Sequence, residues 1–184
     1  MSFIKALTLK IKRAETPMWA AVKRGLQRVQ RAEGPAPRWL FKPLYHGHVG
    51  AKTAMGAATR VLYYQPMFRA ICEDVGPGLY LYQGIPYVAG GLQMRLGRDC
   101  KLSAQTSLVA GHVFDNPRLE VGDRSNIGPG VIISASKLVQ IGANVRIATG
   151  VLISDNPGHP LDAVERRTRP VHPEQVRPVI IEDD

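Results

Sequence analysis

Two hydrophobic periods divide the chain. In the front part, apolar residues recur at helical spacing and predict two amphipathic helices, the first with Phe3, Ile4, Leu7 and Ile11 and the second with Met18, Trp19, Val22, Leu26 and Val29. Thr16-Pro17 has the form of an N-cap with proline in the first turn of the second helix. After these helices we expect an irregular stretch around Pro43 and a third helix over residues 51–73, bent near Pro66.

From Leu96 onward a six-residue period replaces the helical one. The position after each leading residue is small or acidic in nine of the ten hexads, and the fifth position is small or β-branched in six. Such columns in phase predict short stacked strands with one aliphatic side chain each on a common axis. The ten leading positions are all apolar: Leu96, Leu102, Leu108, Phe114, Val121, Ile127, Ile133, Ile141, Ile147 and Ile153.

The period divides the chain into three parts. Residues 1–73 form a basic, mostly helical N-terminal segment, residues 74–95 a connecting or capping segment, and residues 96–184 the repeat domain. Within that domain the period stops after Ile153 and returns only at Ile181, which leaves a proline-rich loop over 154–180. Long loops in compact folds are usually either functional or disordered.

The repeat resembles that of the hexapeptide-repeat acyltransferases. Residues 121–128 read VGDRSNIG and residues 141–148 read IGANVRIA, which match the family motif of an aliphatic residue followed by glycine and, further on, a small residue. The resemblance implies a mainly β fold, a left-handed parallel β-helix built as a triangular prism, with the α-helical N-terminal segment attached. The handedness comes from the resemblance alone.

The loop 154–180 resembles the active-site segment of the maltose and galactoside O-acetyltransferases. It contains Gly-His-Pro-Leu-Asp over residues 158–162, with Glu165 and Arg166 close behind. The resemblance implies an O-acetyltransferase that moves an acetyl group from acetyl-CoA to a saccharide hydroxyl, with His159 as the catalytic base. A neutral imidazole can take the acceptor proton near neutral pH, so direct transfer needs no covalent enzyme intermediate.

The partners of His159 are less defined. Asp155 and Asp162 are candidates for orienting its ring or binding substrate, and Asp162 could instead pin the loop. Arg166 and Arg167 are candidate phosphate contacts, or solvated loop charges. The family also uses an asparagine from an earlier coil, but residues 130–134 contain none. The coenzyme A contacts are therefore left unassigned.

The remaining histidines and the cysteines point to no metal or disulfide. The position five residues after His159 is Val164, so the paired histidines of the zinc-binding prisms are missing, although histidines of adjoining subunits could converge. His46 and His48 are expected in a polar turn. Cys72 and Cys100 are predicted to be reduced structural thiols of a cytoplasmic protein.

Charge is concentrated in the front segment. Residues 1–73 carry thirteen Lys and Arg against three Asp and Glu, whereas residues 74–184 carry eleven against twelve. The basic helices could pack on the protein's own body or make peripheral contact with a membrane through residues 1–33. Nucleic acid is not expected as a partner, because no aromatic-interleaved basic motif accompanies the charge. The segment resembles that of acetyltransferases of cell-surface polysaccharide biosynthesis, which implies a site at the inner face of the membrane.

The resemblance also implies a homotrimer acting on a saccharide or lipid-linked saccharide. The chain stops within a hexad at Asp184, so we expect it to be C-terminally truncated and to bind coenzyme A weakly or not at all. An inactive truncated chain is one of the alternatives that this ending leaves open. Two other functions stay open. One is a non-catalytic β-helix scaffold recruited to a membrane or assembly by its basic helices, and the other is an acetyltransferase acting on a small-molecule drug or an amine.

Overall fold

The computed structural model describes residues 3–160, 162–169 and 171–184. Leu161 of the Gly-His-Pro-Leu-Asp motif and Pro170 of the loop lie outside the described residues, as does the side chain of Phe3. The chain divides into two units between Val49 and Gly50. Among the described helices, none combines the length and apolar character that crossing a membrane requires.

The front of the chain is helical, as predicted. Thr16 caps the second helix, and its hydroxyl accepts a hydrogen bond from the backbone N–H of Trp19 at 3.4 Å. The helices are α1 (Phe3–Arg13), α2 (Pro17–Gln30), α3 (Arg38–Thr59) and α4 (Gln65–Ala70), with a π-helical turn at Arg60–Tyr64 between the last two.

The prediction of an irregular stretch at Pro43 is wrong. Pro43 lies inside α3, which begins at Arg38 rather than near residue 51. Proline removes one backbone donor from a helix, and the other residues of this 22-residue helix supply enough hydrogen bonds to continue past the gap. The expected bend near Pro66 is a π-helical turn that ends at Tyr64.

Thirteen short strands among the described residues wind into stacked coils. Each coil contributes one strand to each of three parallel sheets, which confirms the β-helix as a solenoid of about four turns. The first sheet contains β1 (Asp74–Val75), β4 (Gln93–Leu96), β7 (Arg118–Val121), β10 (Leu138–Ile141) and β13 (Val179–Ile181). The second contains β2 (Tyr80–Tyr82), β5 (Lys101–Ser103), β8 (Asn126–Ile127) and β11 (Arg146–Ile147), and the third β3 (Tyr87–Ala89), β6 (Ser107–Ala110), β9 (Ile132–Ala135) and β12 (Leu152–Ser154).

The first coil lies in the segment 74–95. Strands β1, β2 and β3 pair with β4, β5 and β6 of the next coil. The segment that the sequence assigns to a connection or cap is thus the first coil of the solenoid, together with most of β4. Val75 and Leu81 of this coil are six residues apart and pair with the leading residues Leu96 and Leu102. Val88, which pairs with Leu108, follows Leu81 after one extra residue, so the six-residue period already begins in the first coil.

The leading residues of the hexads fill the axis. Leu108 pairs with Ile133 and Ile133 with Ile153, and the first two of these are fully buried. Phe114 is the exception, because it lies half-exposed in the connection 111–117 rather than in a strand. The core residue that follows this connection is Leu119, which pairs with Met94 of the preceding coil. Extra residues in the connection therefore displace Phe114 from the axis.

Small residues stack at the corner between the first and second sheets. A Cβ on Gly122 would lie 2.5 Å from the carbonyl carbon of Gly142 in the next coil, so a side chain there would force the coils apart. Ser125 is fully buried and donates to the carbonyl oxygen of Gly142 at 2.7 Å. Burial raises the pKa of the Cys100 thiol at the equivalent position, and that of Cys72 to about 11, so both thiols stay protonated at neutral pH.

Replacement of Ile133 by alanine tests the axial packing. We expect Ile133→Ala to lower the free energy of unfolding by about 2–5 kcal/mol, because it opens a cavity between Leu108 and Ile153. The control Ile132→Ala alters the neighbouring residue of the same strand, which is 45% exposed, and should cost less than about 1 kcal/mol. Urea unfolding followed by circular dichroism measures both, and equal losses would contradict the assignment of Ile133 to the axis.

Candidate active site

All the long connections leave the solenoid at one corner. The chain passes from the third sheet to the first through residues 90–92, 111–117, 136–137 and 155–178 in successive coils. The second and the fourth of these are much longer than the connections at the other corners. Stacking of the coils therefore places the loop with His159 in the same region as the connection 111–117.

A cavity of about 360 Å³ lies at this corner. His159 and Asn156 line it from the long loop, His112 and Gly111 from the shorter connection, and Ser136 from the turn between the third and fourth coils. Both imidazoles are exposed. Apolar side chains such as Val109 and Val171 complete the lining beside these polar groups.

The backbone on both sides of His159 is held in place. The side-chain oxygen of Asn156 accepts from the N–H of Gly158 at 2.8 Å, and its amide donates to the hydroxyl of Ser136 at 2.9 Å. Gly158 has φ of +82°, a left-handed conformation that favours glycine. After the histidine, Pro160 is buried and its carbonyl oxygen accepts from Nε of Arg166 at 3.1 Å. The exposed imidazole thus stands on a braced segment.

Asp155 is placed differently from the sequence expectation. Its buried carboxylate accepts backbone N–H bonds from Ser136 at 2.7 Å, Lys137 at 2.6 Å and Leu138 at 2.9 Å. The side-chain amide of Asn156 donates to it as well, at 3.1 Å. A carboxylate has about four acceptor sites, so these donors leave none for the ring of His159. Asp155 positions the loop on the preceding coil rather than orienting the imidazole.

Asp162 pins its own loop, which is the alternative raised from the sequence. One carboxylate oxygen accepts from the N–H groups of Val164 and Glu165, both at 2.9 Å. These bonds cap the short helix α5 (Glu165–Thr168). Neither of the two aspartates is therefore paired with His159 in this structure.

The arginines and His172 of the loop have structural contacts. Arg166 braces Pro160, as described above, while Arg167 is exposed. Nε2 of His172 lies 3.5 Å from Oε2 of Glu165, and the other carboxylate oxygen of Glu165 lies 3.8 Å from a guanidinium nitrogen of Arg169. Within the described ranges, no group of three or more His, Cys, Asp and Glu side chains could hold a metal ion.

Sequence reasoning missed His112, Ser136 and Asn156 as members of the site. The available signal was the break in the repeat between Leu108 and Val121, where one residue more than two hexads separates the leading positions. That break marks the connection 111–117, at the same corner as the long loop. The ammonium group of Lys137 lies 5.7 Å from the ring centroid of Phe114 in this connection, close enough for a cation–π contact.

Two further cavities among the described residues lack histidine. A groove of about 400 Å³ follows the outer face of the first sheet beside Gly97, Gly122 and Gly142, and it is lined by no histidine or cysteine. A second cavity, of about 570 Å³, lies between the end of α3 and the strand β2, where the guanidinium group of Arg60 stacks on the ring of Tyr80 at 4.0 Å. Of these three cavities in the described part of the chain, the corner cavity is the one lined by imidazole groups.

No family model matches the chain, and searches of curated proteins and of solved structures found no match. The resemblance to the acyltransferases therefore stays a prediction carried by the hexad motif and by the residues around His159.

Replacement of Asp155 by asparagine tests its positioning role. We expect Asp155→Asn to lower the free energy of unfolding by about 1–3 kcal/mol, because an amide group replaces one acceptor oxygen opposite buried backbone N–H groups. Asp162→Asn, at an exposed position, is the matched control and should cost less than about 1 kcal/mol. Chemical unfolding of the two variants provides the comparison, and a larger loss for Asp162→Asn would refute the assignment.

Proposed function

We propose that the chain is an acyltransferase that moves an acetyl group from acetyl-CoA to a hydroxyl of a saccharide, with His159 as general base. The observation that carries the proposal is the exposed imidazole of His159, braced on both sides, in a cavity of about 360 Å³ beside Ser136 and Asn156. The family resemblance of the loop supplies the substrate class. Cell-surface polysaccharide biosynthesis, in the cytoplasm at the inner face of the membrane, is the proposed setting.

The reaction needs one proton relay. The imidazole of His159 takes the proton of the acceptor hydroxyl as the oxygen attacks the thioester carbonyl carbon. The tetrahedral intermediate then collapses, the carbon–sulfur bond breaks, and the imidazolium returns the proton to the departing coenzyme A thiolate. Atoms and charge balance without a metal ion or a covalent enzyme intermediate.

Rigid placement of the base supports this chemistry. A base on a mobile loop would lose the entropic advantage of an acceptor and catalyst held together. Four hydrogen bonds join Asp155 and Asn156 to the turn 136–138 of the preceding coil, and Pro160 is buried one residue beyond the histidine. The homotrimer that the resemblance implies would supply a neighbouring subunit as a further wall for the donor.

Replacement of His159 tests the proposed base. In the natural protein, including any residues that follow Asp184, His159→Ala should lower turnover by about 10²–10⁴-fold, because the saccharide hydroxyl loses the base that takes its proton. His172→Ala, which removes an imidazole that pairs with Glu165 outside the cavity, is the matched control and should retain turnover. Thiol release from acetyl-CoA is measured with nucleotide sugars and simple sugars as acceptors.

Two outcomes would overturn the proposal. A decrease below threefold for His159→Ala, with thiol release intact, would remove this residue from the mechanism. A wild-type protein that releases no thiol above the solvent rate with any saccharide would exclude the saccharide acceptor. Transfer to amines under the same conditions would favour the antibiotic-type acceptor, and no transfer at all would favour the scaffold.

Replacement of His112 tests whether the opposite wall of the cavity contacts the acceptor. We expect His112→Ala to raise the KM of the saccharide about 10-fold and to leave the KM of acetyl-CoA unchanged, because one lost hydrogen bond costs about 1 kcal/mol or somewhat more. His46→Ala, in α3 and outside the cavity, is the control. A change in turnover alone, with both KM values constant, would contradict a binding role for His112.

A further inference from the structure

The N-terminal unit has an apolar stripe that the structure leaves exposed. Met18, Val22, Leu26 and Val29 follow one another along a single face of α2, at 62%, 39%, 46% and 75% exposure. The helix has no buried residue. Isolated apolar side chains on a surface are ordinary, but four in a row at helical spacing form a continuous apolar strip.

The opposite face of α2 is basic. Arg24 and Arg28 lie one turn apart on that face, followed by Arg31 at the end of the helix, and together with Gln27 they line a shallow cavity. Residues 1–49 carry ten Lys and Arg against two Asp and Glu. An apolar stripe with a cationic opposite face is the pattern of helices that lie in the plane of a membrane surface.

The neighbouring helices of this unit extend the pattern. In α1, Ile4 is 72% exposed, and it lines an open cavity together with Lys5 and Lys12. The beginning of α3 exposes Trp39 at 77% and Phe41 at 47%. Aromatic rings of this kind are favoured at the boundary between lipid headgroups and acyl chains.

We propose that α1, α2 and the start of α3 form a docking surface for a bilayer that contains anionic lipids. The apolar stripe of α2 enters the acyl boundary, and the lysines and arginines contact the headgroups with their long side chains. Each cation near an anionic surface contributes about 1 kcal/mol, so the excess of eight over residues 1–49 is ample for reversible attachment. Nucleic acid would use the arginines and leave the apolar stripe in water, and a neutral protein partner would not use the charge. This inference does not depend on the proposed acyl transfer.

Vesicle binding by the full chain tests the proposal. We expect flotation with vesicles of phosphatidylcholine and phosphatidylserine at low salt, weak flotation with phosphatidylcholine alone, and loss of binding at about 0.5 M salt because charge is screened. Trp19 and Trp39 are the two tryptophans of the chain, and both lie in this unit. Their fluorescence should therefore shift to shorter wavelength when anionic vesicles are added.

Two sets of substitutions separate the contributions of the stripe and the charge. Met18→Ser, Val22→Ser and Leu26→Ser together should weaken binding at least 10-fold and abolish the fluorescence shift. Arg24→Gln, Arg28→Gln and Arg31→Gln should remove the preference for anionic vesicles. The matched control removes three exposed apolar residues of the second unit, Leu152, Val164 and Ile180, by substitution with serine and should bind like the natural chain.

Several results would overturn the proposal. One is the absence of flotation and of a fluorescence shift with anionic vesicles. Another is equal binding of the stripe variant and the natural chain, with helix content by circular dichroism unchanged. If the stripe variant lost helix content, the arginine variant and the salt dependence would decide. A stripe variant that alters the sedimentation mass while vesicle binding stays constant would show that the surface joins copies of this chain.

Discussion

Hydrogen bonds between successive coils determine where this chain can accommodate extra residues. Ile133 pairs with Leu108 in the coil before and with Ile153 in the coil after, and each side chain lies on the axis only in that register. A slip by one residue would turn the aliphatic side chain to solvent and the next polar one inward. Insertions are therefore confined to corners, and the long ones lie at the corner between the third and first sheets.

The corner between the third and first sheets can hold a site because hydrogen bonds join the connections that leave the solenoid there. Asp155 makes most of these bonds, since its buried carboxylate accepts three backbone N–H bonds from the turn 136–138 and one from the side-chain amide of Asn156. Burying a carboxylate that lacks hydrogen-bond donors costs free energy, so Asp155 can be buried only while the loop holds it against these donors. These hydrogen bonds position the segment that carries the exposed His159, although His159 itself makes none of them.

The sequence predicted the solenoid because one physical requirement repeats in it. Leu102, Ile127 and Ile147 are the same position in three coils, and a prism axis accepts only an aliphatic side chain there. Phe114 is six residues after Leu108 and so fits the period, but it does not lie on the axis. The period continues through a connection only if the connection contains no added residue. The first coil carries a shorter signal, because Val75 and Leu81 keep the six-residue spacing but Val88 follows Leu81 after seven residues.

The site was predicted in part, for the same reason. His159 stands in a motif with a local sequence pattern, whereas His112 and Ser136 reach the cavity only through the stacking of separate coils. The role of Asp155 could not be read from its neighbours in sequence, because its partners lie in the preceding turn. Pro43 illustrates an error of the opposite kind. Its local sequence predicted a break in helical structure, but Pro43 lies inside the long helix α3, whose other residues continue the helix.

Nuclear Overhauser contacts in the isotopically labelled chain test the central claim most directly. Stacked coils predict cross-peaks from the methyl groups of Ile133 to those of Leu108 and Ile153, none from Ile132 to the same groups, and a cross-peak between the side-chain amide of Asn156 and the side chain of Ser136. Cross-peaks from Ile132 in place of Ile133, or an Asn156 amide without contact to the turn 136–138, would contradict both the register and the site built on it.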